Sequence, residues 1–220
     1  MSRLKDGKHN YINPEYFIHV AEINHTIIQL SRQMFEKTCR FAVDNNIFDR
    51  GINDMNINIS PIQCQDKHLV QDLKKIAAKY GIPFERFHFE ITESRLTDEK
   101  AVRETLTKLK ENGAKIALDD FGTGYSNIAS IMLMPIDFVK IDKSLLWSYA
   151  SGDNEFLNEL MPMIRGEGKK IIAEGIETEE HIEILRRMGG DCLQGYYYSK
   201  PLNEENFIRF LDARNNGAEA

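Results

Sequence analysis

Six apolar, strand-like runs alternate with amphipathic helices, and each run ends in a polar side chain at the same place. These two observations predict an α/β fold, a TIM-like (βα) barrel that is incomplete and holds about six of its eight strands. The runs are Met55–Ile59, Phe87–Ile91, Lys115–Asp119, Asp137–Ile141, Lys170–Glu174 and Asp191–Tyr196. Parallel strands need a crossover between them, so strict alternation of strand and helix predicts a parallel sheet. A doubly wound open sheet and an incomplete barrel both satisfy that pattern, and the polar residues decide between them.

The elements follow in order. Lys5 to Pro14 is polar and turn-rich and reads as loop. Pro14 then opens a helical pattern with Phe17, Val20, Ala21, Ile27 and Ile28 on one face, and Met34, Phe35, Cys39 and Ala42 continue in a second. Leu69, Leu73, Ile76, Ala77 and Tyr80 repeat at helical spacing, and Gly81 ends that helix. Asp98 is an N-cap candidate for a helix carrying Val102, Leu106 and Leu109, closed by Gly113. Phe156, Leu157, Leu160 and Ile164 make the next helix, expected to bend or break near Pro162. Thr178 caps a helix with Ile182, Leu185 and Met188, closed by Gly189-Gly190, and Asn203 caps the last, with Phe207, Phe210 and Leu211. No linker or low-complexity tract interrupts the pattern, so residues 1–220 read as a single domain.

Composition removes several function classes. A net charge of −6 argues against gripping long nucleic acid, which needs a basic face. It does not exclude a small phosphate ligand, because metal ions can supply positive charge locally. No apolar run approaches the ~20 residues needed to span a bilayer, and the start, Met1-Ser2-Arg3-Leu4-Lys5-Asp6, has no apolar signal core. A cytoplasmic protein is expected. Cys39, Cys64 and Cys192 are an odd, widely spaced set, so neither a disulfide framework nor a zinc site is expected. They read as reduced, largely buried thiols.

The polar strand ends carry the chemistry. Asn58, Glu90, Asp119 with Asp120, Lys140, Glu174 and Gln194 close the six runs in turn. Strand side chains alternate faces, and the residues just before these (Ile57, Phe89, Leu118, Val139, Ala173 and Leu193) are all apolar. Each strand therefore turns an apolar flank to its covering helices and its terminal polar residue the other way. In a barrel that way is inward, at the carboxyl-end mouth where such folds place their sites. His88 reads as a barrel-core histidine rather than a ligand. The glycines of Asp120-Phe121-Gly122-Thr123-Gly124-Tyr125 lack the lysine and serine that would make a phosphate cradle. Carboxylates and an amide are hard oxygen donors that suit Mg²⁺ or Mn²⁺. A carboxylate-rich mouth with one lysine suits two-metal phosphoester hydrolysis, with a further carboxylate as general base.

These residues resemble a known family. Asn58-Ile59-Ser60-Pro61, Phe89-Glu90-Ile91-Thr92-Glu93-Ser94, Asp119-Asp120-Phe121-Gly122-Thr123-Gly124-Tyr125-Ser126, Val139-Lys140-Ile141-Asp142, Ala173-Glu174-Gly175-Ile176-Glu177 and Gln194-Gly195-Tyr196 resemble, in order, the signatures of EAL-domain cyclic di-GMP phosphodiesterases. Pro14-Glu15-Tyr16-Phe17-Ile18 and Ala21-Glu22 also match that family's first helix. The resemblance implies hydrolysis of cyclic di-GMP (c-di-GMP) to the linear dinucleotide pGpG, with Mg²⁺ or Mn²⁺ as cofactor and a bacterial signalling role. It implies Asn58, Glu90 and Asp119 as ligands of a first metal and Asp120 of a second. Lys140 would hold the nucleophilic water or a phosphate oxygen, Glu174 would be the base, and Gln194 would line the site. Glu93 would anchor the loop Phe121–Ser126, which in the family couples dimerisation to metal binding. The open edges that an incomplete barrel leaves at Met55–Ile59 and Asp191–Tyr196 also lead to an expectation of self-association, as a homodimer or otherwise.

The match departs from the family at its start. Two strands and the Glu-Ala-Leu motif would precede Met1, and only Met1-Ser2-Arg3 matches the motif's tail, with Arg3 as the arginine that contacts the dinucleotide. The chain is expected to begin at an internal methionine of a longer polypeptide, without the motif's glutamate. The alternative is a non-catalytic c-di-GMP-binding or protein-interaction module.

Overall fold

A computed structural model of the chain describes residues 4–5, 7–8, 10–92, 99–122, 133–215 and 217. Its centre is a six-stranded parallel sheet in sequence order: β3 (Met55–Asn58), β4 (Phe87–Thr92), β5 (Lys115–Phe121), β6 (Phe138–Ile141), β7 (Lys170–Ala173) and β8 (Cys192–Leu193). Two two-residue strands, β1 (Leu4–Lys5) and β2 (Tyr11–Ile12), pair antiparallel ahead of it, where the sequence reads as loop. Among the described residues the helices are α1 (Pro14–Ile23), α2 (Ile27–Asp44), α3 (Leu69–Lys79), α4 (Glu99–Glu111), α5 (Lys143–Ala150), α6 (Leu157–Gly166), α7 (Glu179–Met188) and α8 (Glu204–Asn215). The expected half-barrel with crossover helices is the fold observed.

The helices start and stop for local reasons. Asn13 caps α1 by accepting from the Glu15 N–H, with Pro14 at the first helical position. The single face expected from Phe17 to Ile28 is broken, because Asn24 accepts from both the N–H and the hydroxyl of Thr26, and His25 takes a left-handed φ of 59°. Ile27 and Ile28 therefore belong to α2, and Val20 points outward. Thr178 accepts from the His181 N–H to cap α7, and Gly189 ends it with a φ of 78°. The expected cap Asp98 lies outside the described residues. α6 runs unbroken through Pro162. α5 is an element the apolar pattern does not announce; Asp142 caps it by accepting from the Ser144 N–H.

The core lies between the outer face of the sheet and the helices. Phe87 and Phe89, two residues apart and so on one face of β4, are buried against Phe35 of α2 and Phe84. The Phe35–Phe87 ring centroids are 4.7 Å apart, a pairing worth about 0.5–1.5 kcal/mol beyond the area it buries. At the amino ends of the strands, Asp137 accepts from the Ile116 N–H and from Lys110, and Asp191 accepts from the Ile171 N–H. Those acids pin strand starts and leave the opposite end for chemistry.

The inner face is open. Asn56 and Cys192 are exposed and Phe138 is half-buried, stacked on His88 at 5.2 Å. Cys192 thus departs from the expectation of three buried thiols. It sits on the concave side of the last strand, whereas Cys39 and Cys64 lie in the helix-covered layer. β8 is also shorter than the run Asp191–Tyr196, because beyond Leu193 the chain leaves the ladder and Gln194 instead accepts from the Ile176 N–H.

Candidate metal and phosphate site

Lys140 is the centre of the mouth. It is the penultimate residue of β6 with its side chain only 3% exposed, and its ammonium meets three carboxylates, carried by β4, by β5 and by the residue after β7. The distances are 2.6 Å to Asp119, 2.8 Å to Glu174 and 3.2 Å to Glu90. Burial alone would pull the ammonium's pKa down, but Glu90, Asp119 and Glu174 outweigh it and hold the group above its ordinary value. Lys140 is therefore a permanent cation.

Two consecutive aspartates reach the mouth because β5 carries a bulge. Leu118 pairs with Val139 and Phe121 with Ile141, so Asp119 and Asp120 together oppose Lys140. Regular alternation would have sent one of them outward. The extra residue is accommodated by a left-handed Asp120, φ 54°, a conformation that aspartate tolerates better than most side chains. Burial, then the neighbouring Asp119 charge, raises the Asp120 pKa.

Asp119, Asp120 and Glu174 can each present one carboxylate oxygen within 4.8 Å of the others. Oxygens on opposite sides of one Mg²⁺ stand about 4.2 Å apart, so the trio fits a hard divalent cation in donor type and span. Burial also raises the pKa of Glu90 and Glu174, with Lys140 opposing in each case. Glu90, Asp119, Asp120 and Glu174 against Lys140 leave an excess of negative charge that a cation would offset.

The remaining expected residues fall around this centre. Asn58 ends β3 in register with Glu90, and its side chain is exposed. Gln194 follows β8, also exposed, with its N–H bonded to the Ala173 carbonyl. Arg3 and Glu93 lie outside the described residues, as does the loop Phe121–Ser126 beyond Gly122. His88 is a half-buried member of the inner layer, 3.7 Å from Asp54, with burial lowering its pKa. Asn56 was not foreseen as a site residue: its amide donates to Glu90 at 2.8 Å and fixes one carboxylate oxygen. The signal was present, since Asn56 and Asn58 share a strand face, but an inner-layer amide reads as packing.

Comparison with known proteins follows this geometry. A family model described as EAL domain matches residues 1–201. The bifunctional diguanylate cyclase/cyclic di-GMP phosphodiesterase MucR of Pseudomonas aeruginosa is 30% identical over 211 residues, covering 94% of this chain and 30% of MucR. The cyclic di-GMP phosphodiesterase PdeF of Escherichia coli is 32% identical over 216 residues, covering 94% of this chain and 29% of PdeF. The chain thus spans less than a third of the length of either relative. Among solved structures, the PaMucR phosphodiesterase in complex with c-di-GMP aligns with a TM-score of 0.81 at 29% identity, covering 93% of this chain and 84% of that one. The EAL domain of Mycobacterium smegmatis DcpA aligns at 0.76 and 32%, covering 84% of each. No helix among the described residues is long and apolar enough to cross a membrane. On the match over residues 1–201, and with the strand-end acids and lysine in one mouth, the chain belongs to the EAL-domain family.

Proposed function

We propose that the chain is a cytoplasmic c-di-GMP phosphodiesterase domain that cleaves one phosphodiester of the cyclic dinucleotide to give linear pGpG. The single observation that carries this reading is the buried Lys140 held among Glu90, Asp119 and Glu174, beside a carboxylate trio that suits a divalent cation. The names of MucR and PdeF support it.

Asp119, Asp120 and Glu174 would hold Mg²⁺ or Mn²⁺, with Glu90 and Asn58 completing the oxygen donors. When bound, such ions neutralise phosphate charge and make water a better nucleophile. Lys140 contributes a fixed positive charge, aimed at a phosphate oxygen or the attacking water, without moving a proton. Glu174 gives the cation only one of its two carboxylate oxygens, and burial raises its affinity for a proton, so it is suited to take one from water. Asn56 keeps Glu90 oriented. Arg3 and Gln194 would contact the dinucleotide, and Glu93 would anchor the loop that follows β5. Self-association belongs to the same reading: among the described residues β3 pairs only with β4 and β8 only with β7, and such edges recruit other strands. Light scattering on dilute protein tests it, and a monomer with a concentration-independent melting transition would sink it.

The decisive assay follows c-di-GMP and pGpG by chromatography with Mg²⁺ or Mn²⁺, with and without chelator. It is run on the chain alone and on one joined upstream to a Glu-Ala-Leu strand. Metal-dependent pGpG formation is expected, with Glu174→Gln lowering turnover by roughly two to four orders of magnitude. Binding without hydrolysis in both forms would assign a non-catalytic binder instead.

A further inference from the structure

The first turn of α5 is wedged between the two turns that follow the metal-trio acids. Gly122, two residues after Asp120, has a φ of 100°, and a side-chain carbon there would collide with Leu145. Gly175, the residue after Glu174, has a φ of 69°, and a side-chain carbon there would collide with Lys143 and come 3.3 Å from the Trp147 indole nitrogen. Both turns need glycine for conformation and for room, and the same short helix fills both.

One polar contact joins α5 to the second turn. The Trp147 indole N–H donates to the Gly175 carbonyl at 2.9 Å, and the Lys143 ammonium lies 5.1 Å from the centre of the indole ring. The other backbone tethers of this segment run to neighbouring strands: the Glu174 N–H to the Ile141 carbonyl at 3.1 Å, and the Ile176 N–H to the Gln194 carbonyl at 3.1 Å. The peptide joining Gly175 to Ile176 is thus gripped at both ends, its N–H by the Gln194 carbonyl and its carbonyl by Trp147. A carbonyl one residue beyond a glutamate governs where that glutamate's side chain starts. A cation site tolerates little drift, since its ligands must stay within tenths of an ångström of their bond lengths.

We propose that Trp147 is a positioning residue for Glu174: by holding the Gly175 carbonyl it fixes the carboxylate at the separation from Asp119 and Asp120 that a divalent cation can span. This rests on the metal reading of the trio. Trp147 is also the sole tryptophan of the chain and is 37% exposed, so indole emission reports on this contact without any label. Metal binding at Glu174 tightens the segment that the indole holds, and the emission must respond.

The test titrates the 220-residue chain with Mg²⁺ and follows both heat and tryptophan emission. The parent is expected to give a saturable emission change whose midpoint coincides with the calorimetric one, and Glu174→Gln is expected to abolish that change. Trp147→Phe, which keeps an aromatic ring and loses the N–H, is expected to bind Mg²⁺ roughly two- to tenfold more weakly, the range one hydrogen bond's net contribution spans. Two results would overturn the positioning role while leaving the metal reading intact: calorimetric binding with flat emission in the parent, or equal affinity in Trp147→Phe. The emission arm needs no variant, so a misfolded Trp147→Phe does not remove the test. Absence of any binding heat in the parent overturns the metal reading itself, and this inference with it.

Discussion

The Lys140 ammonium lies 2.6 Å from a carboxylate oxygen of Asp119, across a bulge that sets two aspartates opposite one lysine. Removing the lysine leaves Glu90, Asp119 and Glu174 facing one another with no cation between them. Breaking one partner out of a buried ion cluster typically costs about 3–5 kcal/mol. Lys140→Met is therefore expected to lower the unfolding free energy by an amount of that order. Mg²⁺ should recover more stability in the variant than in the parent, because it meets a larger unbalanced charge. Equal Mg²⁺ stabilisation of the two proteins, read by chemical denaturation, would contradict the charge argument.

Metal affinity should rise with pH. Burial raises the pKa values of Asp120 and Glu174, so they keep their protons to higher pH than free carboxyls do, and a cation must expel them. Raised folded-state values stabilise the metal-free chain below the unfolded values, and that stability is lost as pH rises through the folded ones. Calorimetry from pH 5 to pH 8 is expected to find Mg²⁺ binding weakest at the acid end, with Asp119→Ala abolishing it throughout. An affinity that is flat across that range would place the cation on other groups.

The three thiols should separate cleanly under native labelling. Burial pushes Cys39 and Cys64 up to about 12, so at neutral pH each is a neutral thiol shielded from reagent, while Cys192 is exposed. A maleimide is expected to modify one cysteine quickly and all three only in denaturant, counted by intact mass. Rapid native labelling of Cys39 would mean that the layer between α2 and the sheet opens readily.

Gly195 should not tolerate a methyl group. A side-chain carbon at that position would sit on the backbone nitrogen, carbonyl carbon and oxygen of Ile176, which cannot swing aside as a side chain could. Gly195→Ala is expected to destabilise by roughly 1–3 kcal/mol, the usual cost of overpacking, and to move Gln194 away from the Glu174 turn. Chemical denaturation measures the first effect and c-di-GMP affinity the second.

The sheet order and most helices could be read from the sequence because each strand is buried on its outer face and each helix carries one apolar stripe. The strand-end acids and Lys140 could be read because they recur at one register. α5 could not, since Trp147 and Tyr149 are partly exposed and Leu146 alone of its residues is buried, which leaves no long apolar stripe; only the Asp142 cap foreshadows it. The bulge at Asp119 and Asp120 was hidden for a different reason. Nothing in an Asp-Asp pair distinguishes a bulge from ordinary alternation, and only the fixed register of Ile141 against Phe121 reveals it. The exposure of Cys192 follows from what does not cover the concave face, which composition does not encode.

β5 and β7 are not neighbours; β6 runs between them. On a flat sheet, strands two apart are separated by about 10 Å. Yet Asp119, Asp120 and Glu174 bring oxygens within 4.8 Å of one another. The side chains bridge part of that gap and the curl of the half-barrel shortens the rest, so their separation responds to its curvature. Whatever flattens the sheet widens the gap and releases a cation, and whatever tightens the curl draws the ligands together. An ion bound there would act as a staple across a strand it never touches through the backbone, converting the bend of the whole half-barrel into an affinity.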